Sequence, residues 1–196
     1  MIPKRALCQA QVPAPHLRWR RRTVTTLRCT AKLLKRLGIR DPGEPPPPEN
    51  RLGDWFANII YTRQGHFLIL VSERSLLPIV TTARNLNRFE ERFLRLLRDV
   101  LLALKVPQEA IDRELSLMHP MYYGRTNSRV VLGSMTDFTL MTKDVLATEP
   151  EMTLFELSLF LAHSPCKPLD MKQPEVVAPE LLSSPPGFRV LDGGRA

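Results

Sequence analysis

The first forty residues contain no aspartate or glutamate, although they carry eleven lysines and arginines. Removing those eleven from the 28 basic residues leaves 17 against 20 acidic ones, so residues 41–196 have a formal charge of −3 and the overall +8 originates at one end. The net charge alone therefore does not make the whole molecule a nucleic-acid binder. Cysteine is also scarce. Cys8, Cys29 and Cys166 are odd in number and far apart, which excludes the disulfide framework of a small secreted domain and predicts reduced thiols. No run approaches the roughly 18 to 20 apolar residues that span a bilayer, and the start lacks the compact apolar stretch of a secretory signal. A soluble, cytoplasmic protein without membrane contact is expected. There is no glycine-rich phosphate loop, Gly-x-Ser-x-Gly elbow, His-Glu-x-x-His helix or internal repeat, so no catalytic residue, metal ligand or cofactor is predicted.

What is present is one ordinary core's worth of apolar sequence: 196 residues, 43% of them hydrophobic. The prolines cluster near the start, at Pro42 with Pro45 to Pro48, and from Pro150 onward, marking segments that cannot continue helices or central strands. Residues 1–23 show no helical or strand period and are expected to form a disordered basic tail, with residues 183–196 a second tail and residues 24–182 a single domain. A start at Val24, a codon type used for bacterial initiation, would remove six basic residues and lower the charge from +8 to +2. Within the tail, Arg18, Trp19, Arg20, Arg21 and Arg22 are candidate nucleic-acid contacts, the indole stacking on a base while guanidinium groups meet phosphates.

Periodicity predicts the elements. Thr23 to Cys29 reads as a strand, followed by a helix capped by Thr30 and stopped by Gly38, with Lys32, Lys35 and Arg36 opposite its apolar stripe. Asp54 to Arg63 and His66 to Ser72 form a hairpin across a Gln-Gly turn. Trp55, Ala57, Ile59 and Tyr61 share one strand face and Phe56, Asn58 and Ile60 the other; both faces are mainly apolar, so both are expected to be covered, and Asn58 needs an internal partner. Leu76 to Thr82 adds a strand, placed at an edge or bulge by Pro78. Asn87 and Glu90 fit a capping box for a long helix through Leu104, and a second helix runs from Pro107 to Leu117. Met121 to Arg125 is a short strand, Asn127 or Ser128 opens a helix to Ala147, and Thr153 with Glu156 opens another through Leu161. The fold class is α+β, with a small, mostly antiparallel sheet packed by about five helices.

One helix holds more polar chemistry than packing requires. Val131, Met135, Phe138, Thr142 and Val145 form its buried stripe, with Asn127 and Ser134 on or beside it and expected to be partly buried. Arg129, Gly133 and Asp137 are spaced by four, setting a side-chain-free patch between a cation and an anion. Glycine there costs about 1 kcal/mol against alanine, which close approach of another group would explain. That group is either an external ligand or a neighbouring element of the same fold.

The ordered elements Arg28-Cys29-Thr30, Gly53-Asp54-Trp55 with Ala57-Asn58, Thr126-Asn127-Ser128-Arg129 leading to Leu132-Gly133-Ser134-Met135, and Ser164-Pro165-Cys166 resemble the signatures of a bacterial family catalogued only as a domain of unknown function. The resemblance covers roughly Leu27 to Leu181, with Thr136 where the family pattern has asparagine. It implies a compact bacterial domain and supplies no activity. The leading expectation is a non-enzymatic binding or regulatory module, recognising a protein or small ligand through Trp55, Asn58, Asn127, Arg129, Gly133, Ser134 and Asp137. Two alternatives stand beside it. One is an enzyme that binds a small anionic substrate at Arg129, with Ser134 or Asp137 handling protons. The other is a nucleic-acid-associated protein acting through its basic tail and first helix. His163 and Cys166, with Cys29, have too few recognisable partners for a metal site.

Overall fold

Alternation along Trp55–Tyr61 decides the architecture, because successive side chains of a strand point to opposite faces and here both sets are apolar. A computed structural model describes residues 25–184, apart from Asp41, Glu44 and Pro46. The expectations for residues 1–23, including Arg18 to Arg22, and for the C-terminal tail beyond Ser184 lie outside the described residues.

Five strands form one sheet: β1 (Thr25–Cys29), β2 (Trp55–Tyr61), β3 (His66–Ser72), β4 (Pro78–Thr82) and β5 (Met121–Arg125), in the order β4-β3-β2-β1-β5. Hairpin pairing sets Trp55 opposite Ser72 and Tyr61 opposite His66, and β4 continues the meander with Val71 opposite Pro78. The other half differs from expectation. β1 pairs parallel with both β2 and β5, so the sheet is mixed. The turns that join β2, β3 and β4 enforce antiparallel neighbours, whereas β5 reaches β1 only after two helices, and such a crossover permits parallel pairing.

Among the described residues six α-helices surround the sheet rather than about five: α1 (Ala31–Leu37), α2 (Phe89–Ala103), α3 (Gln108–Leu117), α4 (Arg129–Thr148), α5 (Leu154–Ala162) and α6 (Pro174–Ser183). The additional one, α6, contains Pro179 in its interior and starts with Pro174, so its proline content conceals it from a propensity reading. Trp55, Ala57 and Ile59 pack with Leu33 of α1, Phe93 and Leu97 of α2, Ile111 of α3 and Leu182 of α6. On the opposite face, Phe56, Ile60, Ile69 and Val80 pack with Val131, Met135 and Phe138 of α4 and Leu157 and Leu161 of α5. The result is a sheet sandwiched by helices, an α+β domain with two apolar layers.

Local chemistry ends and positions these elements. Gly38 closes α1 in the left-handed region at φ 75°, and its N–H donates back to the last turn. Thr30 occupies the N-cap position of α1, but its hydroxyl serves a side chain of β2 instead of the helix. The Asn87–Glu90 capping box does not form. Leu86–Arg88 make a 3-10 turn, α2 begins at Phe89, and the Glu90 carboxylate accepts a hydrogen bond from the Tyr123 hydroxyl. By contrast, Thr153 and Glu156 make both halves of their box at α5. Pro78 sits on the edge strand, as a residue without a donor should, and the next outward N–H there, from Val80, donates to Ser158 of α5 at 3.0 Å.

Candidate functional site

Helix α4 follows β5 through Thr126 and Asn127, and Ser128 caps it by accepting from the Val131 N–H at 3.4 Å. Its inward stripe is the one the period predicts: Val131, Met135, Phe138, Thr142 and Val145 are all buried. Ser134 is buried too, and its hydroxyl donates to the Val130 carbonyl one turn back at 3.5 Å. Asn127 is a correction. It lies exposed ahead of the cap, because the chain is still leaving the strand edge there and Ser128 takes the capping position.

Arg129, Gly133 and Asp137 lie exposed on the outer side of α4. A Cβ built on Gly133 would meet nothing within 4 Å. No strand or helix of the described fold fills the notch, so internal packing does not account for the glycine. Across from it runs the loop from Ser164 to Pro168, and between them lies a groove of about 320 Å³, lined by Arg129, Gly133, Asp137 and Met141 on one side and Pro165 and Cys166 on the other. The loop wall is held tightly: the Cys166 N–H donates to Lys172 O at 3.0 Å, while the Cys166 carbonyl accepts from Leu169 and Met171 at 3.0 and 3.1 Å. Burial, with a lesser contribution from the Asp137 carboxylate, pushes the Cys166 thiol up to about 11, so it stays protonated at neutral pH.

The structure divides the remaining candidates. Trp55 is fully buried against the face opposite α4, edge-on to Phe93 with ring centroids 4.9 Å apart. Apolar neighbours at alternate strand positions required this. Asn58 is half-buried on the α4 side of the sheet, and its side-chain oxygen accepts from the Thr30 hydroxyl at 2.9 Å. Neither residue lines the groove. The hairpin does not floor it either, since α4 covers Phe56, Ile60 and Ile69.

Near Asn58 lies a pair that spacing does not disclose. Arg28 Nε donates to Asp54 at 2.6 Å, with the arginine 13% and the aspartate 1% exposed, and the second Asp54 oxygen accepts from the Thr26 N–H at 3.1 Å. The only sequence signal was that Arg28 and Asp54 stood in two of the quoted signatures. Gly124 beside them is required by packing, since its Cβ would come within 2.9 Å of Thr26. Beyond the pair, at the carboxyl ends of β1 and β5, α1 leaves toward one face while α4 leaves toward the other.

The weaker constellations do not assemble. His163 pairs with Glu175 at 2.6 Å, Cys166 turns to the Ser164 carbonyl, and Cys29 is buried in the other apolar layer. Among the described residues no cluster of three or more His, Cys, Asp or Glu side chains could hold a metal ion, and no helix is long and apolar enough to cross a membrane.

A family model described as a domain of unknown function, DUF6933, matches residues 26–177. It takes in both the Arg28–Asp54 pair and the α4 groove. No curated protein and no solved structure matches the chain.

Proposed function

We propose that this chain, which belongs to the DUF6933 family, is a non-enzymatic binding or regulatory module whose partner seats in the groove beside Gly133. The observation that carries this reading is the open notch. Alanine would favour the helix by about 1 kcal/mol, and no neighbour in the described fold forbids it. A partner's backbone or a flat ligand approaching α4 would gain from the missing Cβ. Arg129 and Asp137, one turn to either side, offer a donor and an acceptor of opposite charge, which suits a zwitterionic ligand or the alternating polar groups of a peptide.

Support for binding over covalent chemistry comes from the groove's own thiol. Turned to the Ser164 carbonyl and held protonated by burial, Cys166 is a poor nucleophile. The test is a pull-down and ligand-shift screen comparing the parent chain with Arg129→Ala, Asp137→Ala and Gly133→Leu. Loss of the same captured partner by all three, with thermal unfolding showing the fold retained, is the expected result. Unchanged capture by Arg129→Ala and Asp137→Ala would remove the groove from the account.

A further inference from the structure

A second cleft, independent of the α4 groove, opens where α1, the β2–β3 turn and the segment after β4 meet. It encloses about 450 Å³ and is lined by Arg36, Gly65, His66, Ala83, Arg84 and Asn85. The segments that carry these lining residues, 31–40, 61–67 and 82–89, contain no acidic side chain and seven basic ones: Lys32, Lys35, Arg36, Arg40, Arg63, Arg84 and Arg88. All seven are exposed, as is His66. Among the described residues none of them makes an ion pair. The acids that follow in α2 are engaged elsewhere, Glu90 by Tyr123 and Glu91 by Arg95.

The macrodipole at the C-terminus of α1 accounts for Lys35 and Arg36. It does not account for Arg63, Arg84 and Arg88, which belong to other segments and add mutual repulsion. The cleft is also braced. Arg92 donates to the carbonyls of Thr82, Arg84 and Asn85, fixing one wall, and Gln64 donates to Leu146 O at 2.8 Å, fixing the turn. At the rim Tyr61 is exposed, with Lys32 Nζ 4.2 Å from its ring centroid and His66 edge-on at 4.7 Å.

We propose that this cleft binds the phosphodiester backbone of nucleic acid. Cations spread over three segments match a repeating anion better than one phosphate, and the braced walls present them without a large ordering cost. The cleft's lining lies wholly within the described residues, and the proposal does not call on Arg18 to Arg22. The chain is titrated with a fluorescein-labelled single-stranded oligonucleotide and with a duplex, from about 50 to 200 mM salt, as parent, as Arg36→Gln/Arg84→Gln, and as a variant with Arg18, Arg20, Arg21 and Arg22 changed to glutamine. The double cleft variant should bind several-fold more weakly. Its log–log salt slope should be shallower by about 0.7 to 0.9 per lost phosphate contact, hence by roughly 1.5 for the pair. A parent that binds neither oligonucleotide at low salt, a cleft variant with the parent's slope, or equal competition by polyglutamate of matched charge would each overturn the proposal.

Discussion

Gly133 and Cys166 face each other across the α4 groove, and each makes a separate demand on the chemistry there. If the notch exists for a partner, Gly133→Ala should raise stability by about 0.5 to 1 kcal/mol, since it adds helix propensity and collides with nothing, while weakening capture of that partner. Denaturant unfolding together with the pull-down reads both effects. A variant that is more stable and captures equally well would make the glycine incidental. The thiol prediction follows from the causes of its shift. Burial comes first and Asp137 second, so Asp137→Asn should lower the Cys166 value from about 11 and raise its alkylation rate at mildly alkaline pH, with burial keeping the thiol less acidic than a free cysteine. Rates with iodoacetamide across a pH series check this, and an unchanged profile would mean that the carboxylate does not reach the sulfur.

At the scale of elements, two glutamates make opposite contributions to the pH dependence of stability. Glu114 of α3 is buried and accepts from the Asn50 side chain and the Leu52 N–H at 3.0 and 2.9 Å on one oxygen and from the Arg51 N–H at 2.8 Å on the other, clasping the loop before β2. Burial raises its pKa and the three hydrogen bonds only partly offset this. A raised folded-state value means that its contribution is fully present below the ordinary glutamate range and is lost as pH rises through that raised value. Glu156 in the α5 capping box is shifted down by its bonds to Thr153, so its contribution is present above the ordinary range and is lost as pH falls through the depressed value. Glu114→Gln should remove the first dependence and cost about 1 to 3 kcal/mol, because the amide turns a donor toward the Arg51 N–H or leaves it bare. Thr153→Ala should cost about 1 kcal/mol. Urea unfolding at several pH values separates the two. The α5 box was legible in sequence because both partners lie within four residues. Glu114 was not, since its partners come from a loop remote in sequence and a single glutamate on a polar helix carries no mark of burial. The false box at Asn87 shows the converse: Tyr123, from a distant strand, takes Glu90.

For the whole molecule, alternation in β2 was enough to predict two covered faces, whereas nothing local could place β5 beside β1 or put Trp55 on the face away from the groove. Strand direction and partner depend on where α2 and α3 let the chain return, and a tryptophan reads alike as core or surface until the opposite layer is known. The two-layer arrangement has a mechanical consequence. Phe93 of α2 lies in the apolar layer that holds Trp55 and Phe138 of α4 in the opposite layer, with the shared sheet between them. Each is nearly or fully buried, so truncation to alanine should cost about 3 to 5 kcal/mol on either side. If the sheet couples the layers, each variant, made in a Trp19→Phe background so that Trp55 alone emits, should still unfold in one transition, with the same midpoint by far-ultraviolet dichroism and by tryptophan fluorescence. Trp55, buried on the Phe93 side, then reports the loss of Phe138 as faithfully as the loss of its own neighbour. If instead Phe138→Ala loosens α4 and α5 alone, the dichroism signal falls first while Trp55 fluorescence keeps its parental midpoint. That separation would identify the α4 side as an independently opening unit, the lower-stability region from which binding elements are commonly drawn.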